Sequence, residues 1–204
     1  RAVAADATDD AYLLDVANRY FRARIAPNDI VWRYAGVRPL DDDGSSNPSK
    51  VSRDYRLQLD AGVAPPLLHV IGGKITVYRK LAEAALDLLK PHLVTMGPAW
   101  TEHAPLPGGD LGAAGYDHWF DGLARRQPGF ARSELASLAR RYGSRIDRML
   151  GDAKSAADLG HDLGGGLRSR EVEYLKADEW ASTAAGVIWR RTKAALHVAT
   201  SDRD

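Results

Sequence analysis

Apolar residues recur at helical spacing near the start of the chain. Leu13, Val16, Ala17, Tyr20 and Phe21 share one face of a helix running from Thr8 towards Ile25, and Thr8, Asp9 and Asp10 offer side-chain oxygens to its first free amides. Past residues 26–29 the character changes. Residues 30–40, IVWRYAGVRPL, are rich in β-branched and aromatic side chains and stop at Pro39, which predicts a strand. A polar loop over 40–49 leads to KVSRDYRLQLD over 50–60, which alternates and predicts a second strand antiparallel to the first. Pro65 and Pro66 introduce LLHVIGG, a short apolar strand ending in Gly72 and Gly73. From Lys74 the period switches to 3.6 through Ile75, Tyr78, Ala82, Ala85 and Leu89, so the local order is strand, tight turn, helix.

Between Pro91 and Gly109 four prolines and three glycines interrupt any period. The reading places residues 1–95 in one domain, 96–110 in a linker and 111–204 in a second domain. Beyond the linker the strand signal disappears. Segments starting at Tyr116, Arg132, Ser144, Arg170 and Ser182 all carry helical spacing between Gly, Pro or Ser breaks. The expected class is α+β: helix, strands and helix first, then an all-α domain.

Composition narrows the functions. With 45% apolar residues in 204 positions the chain can bury a core. Lys plus Arg number 28 against 27 Asp plus Glu, a balance that argues against nucleic acid as a partner. The absence of cysteine excludes a disulfide scaffold, a thiolate metal site and a cysteine nucleophile. No apolar run reaches the roughly 18 residues that a membrane-crossing helix needs. The first residues, Arg1-Ala2-Val3, read as an internal or processed start.

Side-chain parity singles out two arginines. Arg38 shares a strand face with Ile30, Trp32, Tyr34 and Gly36, and Arg53 shares one with Val51, Tyr55, Leu57 and Leu59. A guanidinium on an inward face needs negative charge and hydrogen bonds opposite it. An anionic ligand would satisfy both, since the planar fork suits phosphate or carboxylate. Ion pairs with Asp41, Asp42, Asp43 or Asp54, or a bulge that turns the parity outward, satisfy the same pattern. The second feature is Gly72-Gly73-Lys74-Ile75-Thr76 at a strand-to-helix junction, where backbone can approach a ligand and helix-start amides favour an electron-rich group. A tight turn alone accounts for it equally. The six histidines show no zinc-ligand spacing, and His69, inside an apolar strand run, reads as a core residue. The basic stretch from Trp189 to Lys193 reads as a solvated face or a set of ion pairs.

Three segments, YAGVRPL at 34–40, SRDYRL at 52–57 and GGKITVYRKLAEAAL at 72–86, together with GPAWTEHAPLPGGD at 97–110, YLKADEW at 174–180 and IWRRTK at 188–193, bring a family into view. In order and spacing they closely resemble the FAD-dependent respiratory glycerol-3-phosphate dehydrogenases. The segment from His161 to Arg170, with three successive glycines, departs from the more helical family pattern. The resemblance implies that residues 1–95 are the C-terminal part of an FAD and substrate domain of the D-amino-acid-oxidase-like type, and that 111–204 are the family's helical C-terminal domain. It implies that Arg38 and Arg53 hold the substrate phosphate. Lys74 would sit beside the flavin and the reacting carbon, so Arg38 and Lys74 are the catalytic candidates. The amides of Gly73, Lys74, Ile75 and Thr76 would approach the flavin pyrimidine. The implied reaction turns sn-glycerol 3-phosphate into dihydroxyacetone phosphate, with hydride to FAD and electrons on to quinone. The implied location is cytoplasmic, at the inner face of the cell membrane, with membrane contact made through a full-length protein. The family's dinucleotide fingerprint GxGxxG is not in these residues, so the chain alone is expected to be inactive and to bind FAD weakly or not at all. Two other functions stay open at this point: another flavin oxidase of the same superfamily, or a helical interaction module without catalysis.

Overall fold

A computed structural model describes residues 3–37, 54–62 and 65–199. Its internal contacts divide the chain into two units, Arg1–Ala104 and Pro105–Asp204. The described residues are mostly helical with one small sheet.

In the first unit, helix α1 spans Ala7–Tyr20. Its cap is Asp6 rather than Thr8, Asp9 or Asp10. The Asp6 Oδ1 accepts from the Thr8 and Asp9 amides at 2.8 and 3.1 Å, and Asp9 Oδ2 accepts from the Asp6 amide at 3.0 Å. The helix stops before Ile25 because Asn18 closes a turn there: its Nδ2 donates to the Ile25 carbonyl at 3.0 Å and its Oδ1 accepts from the Ile25 amide at 2.9 Å. Of the expected apolar face only Val16 and Ala17 are half-buried, while Leu13, Tyr20 and Phe21 are exposed.

Residues 30–37 have no regular secondary structure and form no ladder among the described residues, which corrects the expected first strand. β-Propensity reports fit to a pleated surface, and a strand also needs a neighbour. Residues 38–40 lie outside the described residues. The segment is tied instead to α1, where Arg33 grips Asp10 through Nε at 2.9 Å and Nη2 at 2.7 Å, and Trp32 stacks on Tyr34 with ring centres 5.0 Å apart.

The sheet is the hairpin of β1, Tyr55–Asp60, and β2, Leu67–Gly72. The pairing is antiparallel and runs from Tyr55↔Gly72 to Asp60↔Leu67. The expected pairing of β1 with residues 30–40 is therefore corrected: among the described residues its partner is the strand nearest in sequence, whose short connection has a small closure cost. The alternation along β1 is as expected, with Tyr55, Leu57 and Leu59 half-buried and Arg56, Gln58 and Asp60 exposed. His69 is exposed on β2 and is not a core residue.

After a 3₁₀ turn at Ile75–Val77, α2 runs over Tyr78–Leu89. Its half-buried apolar stripe is Leu81, Ala84, Ala85 and Leu89, so the expected face was rotated, with Ile75, Tyr78 and Ala82 exposed. The following segment folds back on α2, where Thr101 Oγ1 donates to Glu83 Oε1 and Arg79 meets the same carboxylate at 3.0 Å. The Thr101 hydroxyl and, after it, Arg79 and Lys80 hold the Glu83 carboxyl below the usual range.

The second unit contains α3 (Gly115–Arg126), α4 (Arg132–Tyr142), α5 (Ile146–Leu150) and α6 (Ser169–Asp178). Their apolar stripes meet in a core of Phe120, Leu123, Leu135, Ile146, Leu150 and Leu175 among others. A buried carboxylate crosses this core: Glu171 on α6 accepts from Tyr142 Oη at 2.6 Å and pairs with Arg141. Burial and then the Glu171 charge push the Tyr142 hydroxyl far above the ordinary tyrosine range. The last expected helix, from Ser182, is not regular. Residues Gly186–Arg191 form a π turn and Ala194–His197 a 3₁₀ turn, separated by Lys193 in the left-handed region. Thr192 is the cause, since its amide reaches the Val187 carbonyl at 3.0 Å and its Oγ1 donates to the same oxygen at 2.8 Å while accepting from the Ala194 amide at 3.1 Å. No helix among the described residues is long and apolar enough to cross a membrane.

Candidate functional site

The strand-to-helix junction of the first unit is built from the end of β2. Gly72 and Gly73 take φ of 71° and 92°, a region that L side chains rarely enter. Space adds a second reason at Gly73, because a Cβ there would lie 3.1 Å from Tyr55 Cβ and 3.5 Å from Leu81 Cδ1. The turn thus lies in a slot between the first residue of β1 and the start of α2. Lys74 follows in extended conformation, and its carbonyl accepts from the Val77 amide at 3.1 Å, which starts the 3₁₀ turn.

Lys74, Ile75 and Thr76 are all exposed, Ile75 at 88%. A large aliphatic residue stands bare beside an ammonium that has no ion-pair partner among the described residues. The amides of Ile75 and Thr76 head the 3₁₀ turn that leads into α2, and the first amides of a helix lack intrahelical acceptors. Their partial positive charge and that of the lysine add up at one place. The junction therefore offers hydrogen-bond donors, positive potential and an apolar contact to a planar, electron-rich group.

Of the residues singled out by sequence, Gly73, Lys74, Ile75 and Thr76 come together in this turn. Arg38 and Arg53 lie outside the described residues. Among the described residues the terminal pair of the hairpin, Tyr55↔Gly72, sets the start of β1 beside the glycine turn. Sequence reasoning missed the two residues that flank Gly73. Tyr55 was legible as an inward residue but not as the partner of Gly72, because β1 was paired with the wrong strand. Leu81 falls outside the expected stripe of α2, of which Ala85 and Leu89 are half-buried and Ile75, Tyr78 and Ala82 are not.

In the second unit the charged side chains near the core serve packing. Arg145 Nε donates to Tyr174 Oη at 2.8 Å, Arg148 pairs with Asp178, and Arg191 pairs with Glu179 at 2.9 Å. The Arg191 pair fits the ion-pair reading of the basic stretch.

The C-terminal domain of alpha-glycerophosphate oxidase matches residues 99–203. Over 202 residues the chain is 47% identical to glycerol-3-phosphate dehydrogenase of Pseudomonas aeruginosa, covering 98% of this chain and 39% of that protein. It is 43% identical over 194 residues to the aerobic glycerol-3-phosphate dehydrogenase of Escherichia coli, covering 95% and 38%. It is 42% identical over 201 residues to the D-erythritol 1-phosphate dehydrogenase of Brucella abortus, covering 98% and 40%. The chain spans about two fifths of the length of these relatives.

Proposed function

The chain belongs to the family of glycerol-3-phosphate dehydrogenases and alpha-glycerophosphate oxidases, and we propose that it supplies part of the substrate and cofactor site of a flavoprotein that oxidises sn-glycerol 3-phosphate to dihydroxyacetone phosphate. Residues 1–95 are the C-terminal part of the FAD and substrate domain, 96–110 the linker, and 111–204 the helical domain. FAD, when bound, would supply the hydride acceptor for oxidation of the C2 carbinol to a ketone, the C2 hydroxyl proton leaving to a base, with quinone as the onward acceptor at the cytoplasmic face of the membrane.

The donor set fits this cofactor. The amides of Gly73, Lys74, Ile75 and Thr76 suit the pyrimidine edge of the ring, and exposed Ile75 suits its apolar face. Arg38 and Arg53 bind the phosphate with parallel donors, which a dianion accepts best. Lys74 Nζ donates to the C2 oxygen, so that the C2 hydrogen is oriented and negative charge on that oxygen is stabilised. The observation that carries the reading is the turn at Gly72 and Gly73, whose positive φ values bring the exposed residues Lys74, Ile75 and Thr76 together at the head of α2.

The relation to an erythritol phosphate dehydrogenase favours a second reading of the substrate. Phosphate and the adjacent carbinol, the groups that Arg38, Arg53 and Lys74 would hold, occur in both polyol phosphates, so chain length is discriminated by other residues. The test is anaerobic reduction of the FAD-loaded full-length protein by each polyol phosphate. Bleaching by glycerol 3-phosphate with the higher kcat/KM is expected. Preference for the four-carbon substrate selects the second reading, and bleaching by neither contradicts both.

A further inference from the structure

We infer that Leu81 is a positioning residue for Lys74, an assignment that rests on the role given to Lys74 above. The lysine's backbone is fixed from two sides. Behind it, Gly73 lies between Tyr55 and Leu81: an added Cβ would crowd Tyr55 Cβ at 3.1 Å and come into ordinary contact with Leu81 Cδ1 at 3.5 Å. Ahead of it, the Lys74 carbonyl is held by the Val77 amide at 3.1 Å. The side chain itself is exposed, so its place is set by the backbone that carries it.

The two walls of the slot differ in kind. Tyr55 contributes its Cβ and Cα, atoms that nearly every residue possesses, held by the ladder pair with Gly72. Leu81 contributes the end of a side chain, and its half-buried position places it in the contact stripe of α2 with Ala84 and Ala85. Shortening Leu81 removes one wall while leaving the hairpin, the glycine conformation and every candidate ligand in the sequence. The turn is then free to rock towards α2. A displacement of about 1 Å at a reacting group is enough to cost about a hundredfold in rate. Leu81 itself has no group that could donate to a phosphate.

The prediction has two independent readouts. In the FAD-loaded full-length protein, Leu81→Ala is expected to lower kcat per bound FAD about tenfold, while KM for glycerol 3-phosphate and inhibition by inorganic phosphate stay within about twofold. Leu81→Met, which refills the slot, restores most of the rate. In the 204-residue chain, cleavage after Lys74 by a lysine-specific protease, mapped by mass spectrometry, is expected to rise about fivefold in Leu81→Ala, because local opening and not global unfolding exposes the bond. The milder Leu81→Val provides the same comparison if the alanine variant does not fold. Unchanged kcat per bound FAD, or a loss of FAD content with unchanged kcat per bound FAD, overturns the assignment. Unchanged cleavage also overturns it. If the parent protein does not oxidise glycerol 3-phosphate, the functional reading fails, and the cleavage assay still decides whether Leu81 holds the turn.

Discussion

The two units of this chain use apolar residues in opposite ways. The second unit buries 19 hydrophobic side chains between Phe120 and Ala195, and Leu123, Ile146 and Leu150 are wholly enclosed. In the first unit no described residue is buried, although Leu13, Tyr20, Phe21, Tyr34, Ile75 and Trp100 are all large and exposed. Both units carry regular helices, so secondary structure does not separate them. What separates them is whether the chain supplies the second surface that an apolar face needs. The helical unit closes on itself around Glu171 and its partners. The described residues of the other unit form a helix, an irregular segment, a hairpin and a helix that present apolar groups outward, which agrees with a chain spanning about two fifths of its relatives.

The contrast can be broken by substitution. The largest loss is expected from Gly143→Ala. Its φ is +54°, and the new Cβ would drive into the Gly108 carbonyl oxygen, which also accepts from the Ser144 amide at 3.0 Å. Denaturant titration of the whole chain should show a loss of about 4 kcal/mol in the helical unit's transition. Leu123→Ala, at a site with 0% exposure, should cost about 3 kcal/mol. Leu13→Ala, at 61% exposure, should cost less than about 0.5 kcal/mol. Equal losses at Leu123 and Leu13 would remove the distinction between the units. Glu171→Gln keeps the volume but removes the charge that Arg141 and Tyr142 share, and about 2 kcal/mol should be lost.

Acid provides the smallest effect, and it belongs to the first unit. The Arg33 hydrogen bonds and then its charge hold the Asp10 carboxyl below the usual aspartate range. A group whose folded pKa is depressed stabilises the fold above its unfolded pKa and loses that contribution as pH falls through the folded value. The tie between α1 and residues 30–37 should therefore survive mild acid and release only below the ordinary aspartate pKa near 3.8. Fluorescence of Trp32, read against an Asp10→Asn control, measures it. A transition near neutrality would contradict the assignment.

The helical unit was legible in the sequence because each of its main helices carries one apolar stripe, and a stripe facing a core within the same unit reads directly as period 3.6. The inward face of β1 was legible for the equivalent reason. Residues 30–37 were misread because Ile30, Val31, Trp32 and Tyr34 encode a surface suited to a sheet and say nothing of where a neighbour comes from. The π turn at Gly186–Arg191 was hidden in a helical period, since the competing acceptor, the Thr192 hydroxyl, acts only once the chain has bent. At the site, Gly72 and Gly73 marked the turn, and Lys74 to Thr76 followed from it. The role of Leu81 needs the packing of α2 on β1, which no local pattern records. Arg38 and Arg53 lie outside the described residues, and the phosphate-binding half of the proposal rests on sequence.

One consequence follows for the isolated chain: with its first unit uncovered, the 204-residue protein should bind FAD weakly or not at all, and a stoichiometric yellow complex would contradict the reading. The most direct measurement concerns Lys74 itself. Anaerobic stopped-flow reduction of the FAD-loaded full-length protein by glycerol 3-phosphate should slow about a hundredfold in Lys74→Met, with FAD content and melting temperature unchanged. Reduction at the parent rate would show that the ammonium beside the glycine turn takes no part in the chemistry.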